Sequence, residues 1–194
     1  MFQRILREIG KSPKGSKRRK RGIIIEGMQV MTGFLSTISS KLDAKGRVSV
    51  PVAFRTAAAA QGFGGIYVYP SFTMQAIEGG GQLLMDNVSQ MISQLPPYTD
   101  ERDALATALF AENYQLQFDG DGRVSLPESL LAHAGIEKGL VFVGLGAKFQ
   151  IWEPSQFATY REKARQLARQ HRGLLHSLAA GPLPSHTPPV EEND

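Results

Sequence analysis

The chain has 194 residues, no Cys and a formal net charge of +4. Without Cys there can be no disulfide, thiolate metal site or thiol nucleophile, a composition that fits a reducing cytosol. The charge is lopsided: residues 1–22 hold nine Lys or Arg against one Glu, a balance of +8 that leaves −4 for the remainder. Any nucleic-acid contact by the body must therefore use a small local patch rather than general basicity.

Residues 1–30 read as a basic, disordered leader, because the run from Lys11 to Arg21 is polar, like-charged and unable to bury a core. It is either a phosphate-binding arm or a solvated tail. Glu26 interrupts the apolar triplet Ile23-Ile24-Ile25 before a signal-peptide length is reached, and no apolar run approaches the roughly 18 residues of a membrane span. The sequence thus predicts neither export nor membrane insertion, and a cytoplasmic location.

From Phe34 onward one phrase organises the chain. Leu42-Asp43-Ala44-Lys45-Gly46-Arg47-Val48-Ser49-Val50-Pro51 returns as Phe118-Asp119-Gly120-Asp121-Gly122-Arg123-Val124-Ser125-Leu126-Pro127, at a constant offset of 76 residues. So full a repeat governs the reading of the fold. Phe34 and Phe110 match at the same offset, each leading toward a strand. Tyr114, Leu116 and Phe118 alternate with Gln115 and Gln117, the period of a half-buried strand, and Thr37–Leu42 is its more polar counterpart. Val48-Ser49-Val50 and Val124-Ser125-Leu126 predict a second short strand after each motif.

Pro51 and Pro127 suit the first position of a helix, where a missing N–H costs nothing. The helices would run from Pro51 to about Gln61 and from Pro127 to about Ala134, with Gly62 and Gly135 as left-handed ends. Strands follow at Ile66–Tyr69, Leu140–Val143 and Phe149–Trp152, whereas Glu78-Gly79-Gly80-Gly81 reads as a loop. Each half is then a ββαββ unit too small to bury much alone, and the two are expected to share one core. Thr99 caps a connecting helix that reaches about Ala111. A last helix from Ser155 to about His171 is dense in Arg and Lys, with Phe157, Tyr160, Ala164 and Leu167 near one face. A Pro-rich disordered tail is assigned to residues 173–194. The body divides into a first repeat at 31–103 and a second repeat with the C-terminal helix at 104–172.

A Gly before each Arg permits a tight turn that pushes its neighbours into solvent. Arg is the side chain best shaped for bidentate contact with guanine or phosphate, and an acid four residues earlier can hold its guanidinium in one orientation. The plain alternative is a turn-stabilising ion pair worth about 0.5 kcal/mol. The doubling favours function, since repeated shape is how proteins meet repeated DNA half-sites. Enzymatic readings find no support. Gly144-Leu145-Gly146 lacks the third Gly of a dinucleotide fingerprint, no Gly-x-Ser-x-Gly elbow occurs, and His133, His171, His176 and His186 lack metal-ligand spacing. No catalytic residue, metal, cofactor or small-molecule substrate is predicted.

Through Asp-Ala-Lys-Gly-Arg-Val-x-x-Pro the sequence resembles the MraZ family of bacterial transcriptional regulators, relatives of the AbrB-like swapped-hairpin barrels. The likeness continues through Phe110-Ala111, Gln117 to Val124, His133-Ala134-Gly135-Ile136-Glu137-Lys138, Val143-Gly144 and Ile151-Trp152-Glu153-Pro154, covering about Met31 to Arg172. The resemblance implies a mainly β, α+β fold in which two tandem ββαββ repeats form an AbrB-like barrel with a C-terminal helix. It implies a repressor of the division and cell-wall gene cluster, including its own promoter, that binds tandem repeats in double-stranded DNA as a closed homo-oligomeric ring and is nucleoid-associated. Carried over residue by residue, DNA contact falls to Asp43, Lys45 and Arg47 in the first motif and to Asp119 and Arg123 in the second. Asp121 stands where the family more often has a neutral or basic residue, and Leu131 matches Arg55. Both departures remove positive charge from the second copy, which makes the first the stronger candidate. The alternative function is a protein-interaction module, such as an antitoxin of the same superfamily.

Overall fold

The computed structural model describes residues 33–179. The leader, and the tail beyond Ala179, lie outside the described residues. The chain runs β1 (Thr37–Lys41), β2 (Arg47–Ser49), α1 (Val52–Ala59), β3 (Gly65–Pro70), β4 (Ile77–Gly80), α2 (Gln82–Ser93) and α3 (Asp100–Ala106). A π-helical turn, Thr107–Ala111, leads to β5 (Tyr114–Gln117), β6 (Arg123–Ser125), α4 (Glu128–Ala134), β7 (Gly139–Gly144) and β8 (Phe149–Trp152). Helices α5 (Pro154–Gln170) and α6 (Arg172–Ala179) close the described part.

The fold is mixed α+β. Six strands form one antiparallel sheet in the order β1-β7-β8-β4-β3-β5, and β2 pairs with β6 in a separate two-stranded ribbon. The six-stranded sheet is open, with β1 and β5 as its edges. Its order interleaves the sequence repeats: β1 of the first lies on β7 of the second, and β5 of the second lies on β3 of the first. In the middle, β4 and β8 pair through Ile77–Ile151, Glu78–Gln150 and Gly79–Phe149. The repeats therefore exchange strands about an approximate two-fold axis.

One core serves both halves. Phe34, Val48, Phe54, Ile66 and Ile77 from the first pack with Val124, Leu130, Phe142, Phe149 and Ile151 from the second. Four of its rings interlock at centroid separations of 4.9 to 5.9 Å, mostly edge-on or tilted, the geometry that aromatic quadrupoles favour. The outer face of the sheet is covered in two places. Leu84, Val88 and Ile92, spaced four apart, bring α2 onto Tyr69, while Phe157 of α5 packs with Val141, Val143 and Trp152.

Several sequence expectations are corrected here. Glu78–Gly81 is not a loop: Ile77–Gly80 is a buried strand. It escapes local pattern rules because its side chains are absent for packing reasons, a Cβ on Gly79 meeting the Phe149 ring at 2.6 Å and one on Gly80 meeting Leu84 at 2.7 Å. Pro51 and Pro127 stand one residue before their helices, as extended caps with ψ of 139° and 143°. Gly135 is the left-handed end of α4 at φ 64°, whereas Gly62, also left-handed, lies beyond Ala60, which ends α1 in right-handed geometry. Phe34 is fully buried and exchanges two backbone hydrogen bonds with Gly146, but Phe110 is partly exposed in the π-helical turn. The two Phe residues are therefore not structural equivalents.

The Thr99 cap is present, its hydroxyl accepting from Arg102 N–H at 3.4 Å. The predicted connecting helix ends in the π turn at Ala111. Helix α5 begins at Pro154, capped by the Glu153 carboxylate that accepts from Gln156 N–H at 2.9 Å. Its apolar stripe is buried only at Phe157, while Leu167 is exposed, so the packing lies in its first turns and the basic remainder is solvated. Helix α6 corrects the assigned tail: all but the first of its eight residues, Arg172–Ala179, fall in the segment from 173 onward that was expected to be disordered.

Candidate nucleic-acid interface

Each repeated phrase is a closed turn held by its aspartate. In the first, Asp43 N–H donates to Arg47 O at 2.8 Å and Gly46 N–H donates to Asp43 O at 3.0 Å. The Asp43 carboxylate accepts from Lys45 N–H at 2.8 Å and Arg47 N–H at 2.9 Å through Oδ1, and from Arg47 Nε at 2.8 Å through Oδ2. Gly46 takes φ 71°, which a side chain would oppose. The second turn repeats the scheme. Asp119 accepts from Asp121 N–H, Arg123 N–H and Arg123 Nε, each at 2.9 Å, and Gly122 has φ 74°.

These bonds explain the electrostatics. The Arg47 backbone N–H, followed by its guanidinium, lowers the Asp43 carboxyl to about 2, and Arg123 acts on Asp119 in the same sense. In return the hydrogen bond to Asp119 raises Arg123. Both acids therefore remain ionised, acceptor-only anchors at neutral pH.

The β2–β6 ribbon brings the two turns together. Arg47 lies opposite Ser125, Val48 opposite Val124 and Ser49 opposite Arg123. Cross-strand partners share a face, so the two Val residues point into the core while Arg47, Ser49, Arg123 and Ser125 share the outer face. Val50 N–H reaches Gly122 O at 3.1 Å, and Leu126 N–H reaches Gly46 O at 3.3 Å, binding each turn to the other's following strand. Arg47 Nη1 stands 3.9 Å from Asp119 Oδ2 across the ribbon. Asp43, Arg47, Asp119 and Arg123 thus form one charged cluster, although 76 residues separate the pairs in sequence.

The turns are unequal. Arg47 is held by Asp43 Oδ2 through Nε and Nη2, at 2.8 and 2.7 Å. Arg123 is held from two sides, by Asp119 at 2.9 Å and by Asp121 at 2.5 Å. The ammonium of Lys45, the counterpart of Asp121, makes no ion pair with any described residue. One sequence inference is corrected. Arg55 does not add its charge to the first turn alone: its guanidinium lies against Gly122 of the second, where a Cβ would come within 2.6 Å of Nε. Strand exchange carries it there, and sequence offset alone could not have indicated it. The outward-facing Ser49 and Ser125 were also missed, although the Arg-Val-Ser alternation encodes them.

Among the described residues no group of three or more His, Asp or Glu side chains could hold a metal ion, and no helix is long and apolar enough to cross a membrane. Taken together, these features define a protein of two strand-exchanged repeats that presents a doubled, acid-buttressed arginine turn on one ribbon. A family model described as "MraZ protein, putative antitoxin-like" matches residues 109–175. The chain is 44% identical over 152 residues to a protein of Beijerinckia indica named Transcriptional regulator MraZ, covering 78% of this chain and 93% of that one. Proteins of the same name from Rickettsia bellii and Pelagibacter ubique are 47% identical over 148 residues and 44% over 142. These alignments cover 76% and 73% of this chain, and 99% and 92% of the relatives. The chain belongs to the MraZ family, whose members are transcriptional regulators and not enzymes.

Proposed function

We propose that this transcriptional regulator is a sequence-specific repressor that binds tandem repeats in double-stranded promoter DNA, its own promoter included, through the outer face of the β2–β6 ribbon. The observation that carries this reading is the juxtaposition of the half-buried Arg47 and Arg123 on the outer face of one ribbon, each aimed by an ionised aspartate. An arginine already held in place loses less freedom on meeting a base edge or phosphate. Asp43 and Asp119 act as buttresses, Arg47 and Arg123 as readers, and Lys45 as a phosphate contact. The ribbon, lying between the hairpins that lead from the edges β1 and β5, completes an AbrB-like barrel. The repeats at 31–103 and 104–172 work as one DNA-reading unit.

Closed homo-oligomers are the expected form for a protein that meets repeated sites. Phe72 and Met91, both more than half exposed and lining one cavity of about 630 Å³ beside α2, support assembly between copies. The protein would act in the cytoplasm, at the nucleoid.

The test is a fluorescence-anisotropy titration of the full chain against a duplex carrying its own upstream region, across a salt series. The expected result is a log affinity that falls steeply and linearly with log salt. A flat dependence, with a small protein partner copurifying in stoichiometric amount, would replace this reading with the antitoxin-like one.

A further inference from the structure

Building on the DNA-binding reading above, we infer that Arg55, which belongs to the first repeat, is the phosphate-contacting cation of the second repeat's turn. By its own sequence the second turn is poorly suited to DNA. Asp119, Asp121 and Arg123 sum to −1, whereas Asp43, Lys45 and Arg47 of the first turn sum to +1. Moreover Arg123 is occupied, with Asp119 on one side and Asp121 on the other. A turn whose only cation is held by two carboxylates offers little to a phosphate.

Arg55 changes that balance. It projects from α1, and its Nε donates to the Val50 carbonyl at 3.1 Å. Val50 in turn donates its own N–H to Gly122 O at 3.1 Å. The backbone of one residue, Val50, thus ties the guanidinium to the second turn, and the missing side chain of Gly122 makes room for it. The corresponding space at Gly46 holds nothing within 4 Å of a notional Cβ, because the counterpart of Arg55 is Leu131. With Arg55 included, the charge of the second turn rises from −1 to 0.

Three further facts suit Arg55 to phosphate contact. Its side chain is partly exposed. No described carboxylate lies within ion-pair distance of it, in contrast to both Arg47 and Arg123. Its Nε is fixed by the Val50 carbonyl, so the fork bearing Nη1 and Nη2 is oriented and unpaired among the described residues, as a planar, bidentate phosphate donor requires. The Gly122 requirement also acquires a second cause: the position must accept both a left-handed φ and a guanidinium against its α-carbon.

The test compares wild type, Arg55→Gln and Arg55→Lys in the full chain, titrated against the duplex carrying its own upstream region at several salt concentrations. Thermal melts of each variant monitor the fold. Gln keeps an amide donor for the Val50 carbonyl and removes the charge; Lys keeps the charge and removes the fork. Arg55→Gln should lower affinity roughly three- to tenfold and make the slope of log affinity against log salt shallower by about one, as expected for a lost phosphate contact. Arg55→Lys should retain the wild-type slope. An unchanged slope in Arg55→Gln overturns the assignment of Arg55 while leaving the DNA-binding reading in place, whether or not affinity or melting temperature falls. A flat salt dependence of the wild type overturns the underlying reading and this inference with it.

Discussion

Alanine in place of Arg47 is expected to weaken binding of the full chain to its promoter repeats by roughly tenfold to a hundredfold, the range of about 1–3 kcal/mol typical of a lost bidentate arginine contact. The reason lies in the geometry of the first turn. Arg47 is the proposed reader; its guanidinium has one carboxylate anchor in its own turn, and its Nη1 stands 3.9 Å from Asp119 across the ribbon. Beside it Lys45 offers an ammonium with no described ion-pair partner. Lys20→Ala, in the basic leader, should cost far less, because removing one charge from a run of like charges affects only screened, sequence-independent attraction. Equal losses for the two variants in the anisotropy titration would remove Arg47 from the role of base reader.

Phe54→Ala is expected to give the largest loss of stability, about 3–5 kcal/mol. Phe54 is fully buried, with ring centroids of Phe34, Phe149 and Phe142 at 5.4, 5.3 and 5.9 Å. Its removal opens a cavity where α1 meets strands of both repeats, and the surrounding rings cannot collapse into it without leaving β7 and β8. Denaturant unfolding should show a lower midpoint with an unchanged slope. Phe72→Ala is the control: Phe72 is 62% exposed, and its loss should move the midpoint little in a monomer. Comparable shifts for the two would contradict the shared core. Because Phe54 and Arg55 are neighbours on α1, the same helix serves the core with one residue and the second turn with the next.

The parts of this architecture that depend on local chemistry were legible in the sequence. The doubled phrase predicted both turns, since Gly46 and Gly122 are needed for left-handed φ and each Asp sits where it can accept from the backbone two and four residues on. The alternation of Arg-Val-Ser encodes a buried Val between a half-buried Arg and an exposed Ser. Thr99 announced its helix by its capping hydroxyl, and Gly135 ended another. Strand β4 was hidden because its glycines answer to Phe149 and Leu84, groups that reach it only through the fold. Helix α2 was legible and missed: Leu84, Val88 and Ile92 form a stripe at the helical period. Strand exchange was implied only by the resemblance to swapped-hairpin barrels and by nothing in the local pattern. No local pattern states that β1 pairs with β7 rather than with a strand of its own repeat, and so the position of Arg55 over the second turn was out of reach.

In the proposed function two turns far apart in sequence form one DNA-reading surface. Amide hydrogen exchange of the full chain, with and without a duplex carrying its upstream repeats, tests it most directly. Exchange is expected to slow in both residues 43–49 and residues 119–125 on adding DNA, with the exposed end of α5 unchanged. Slowing confined to one turn, or found elsewhere with neither turn affected, would contradict it.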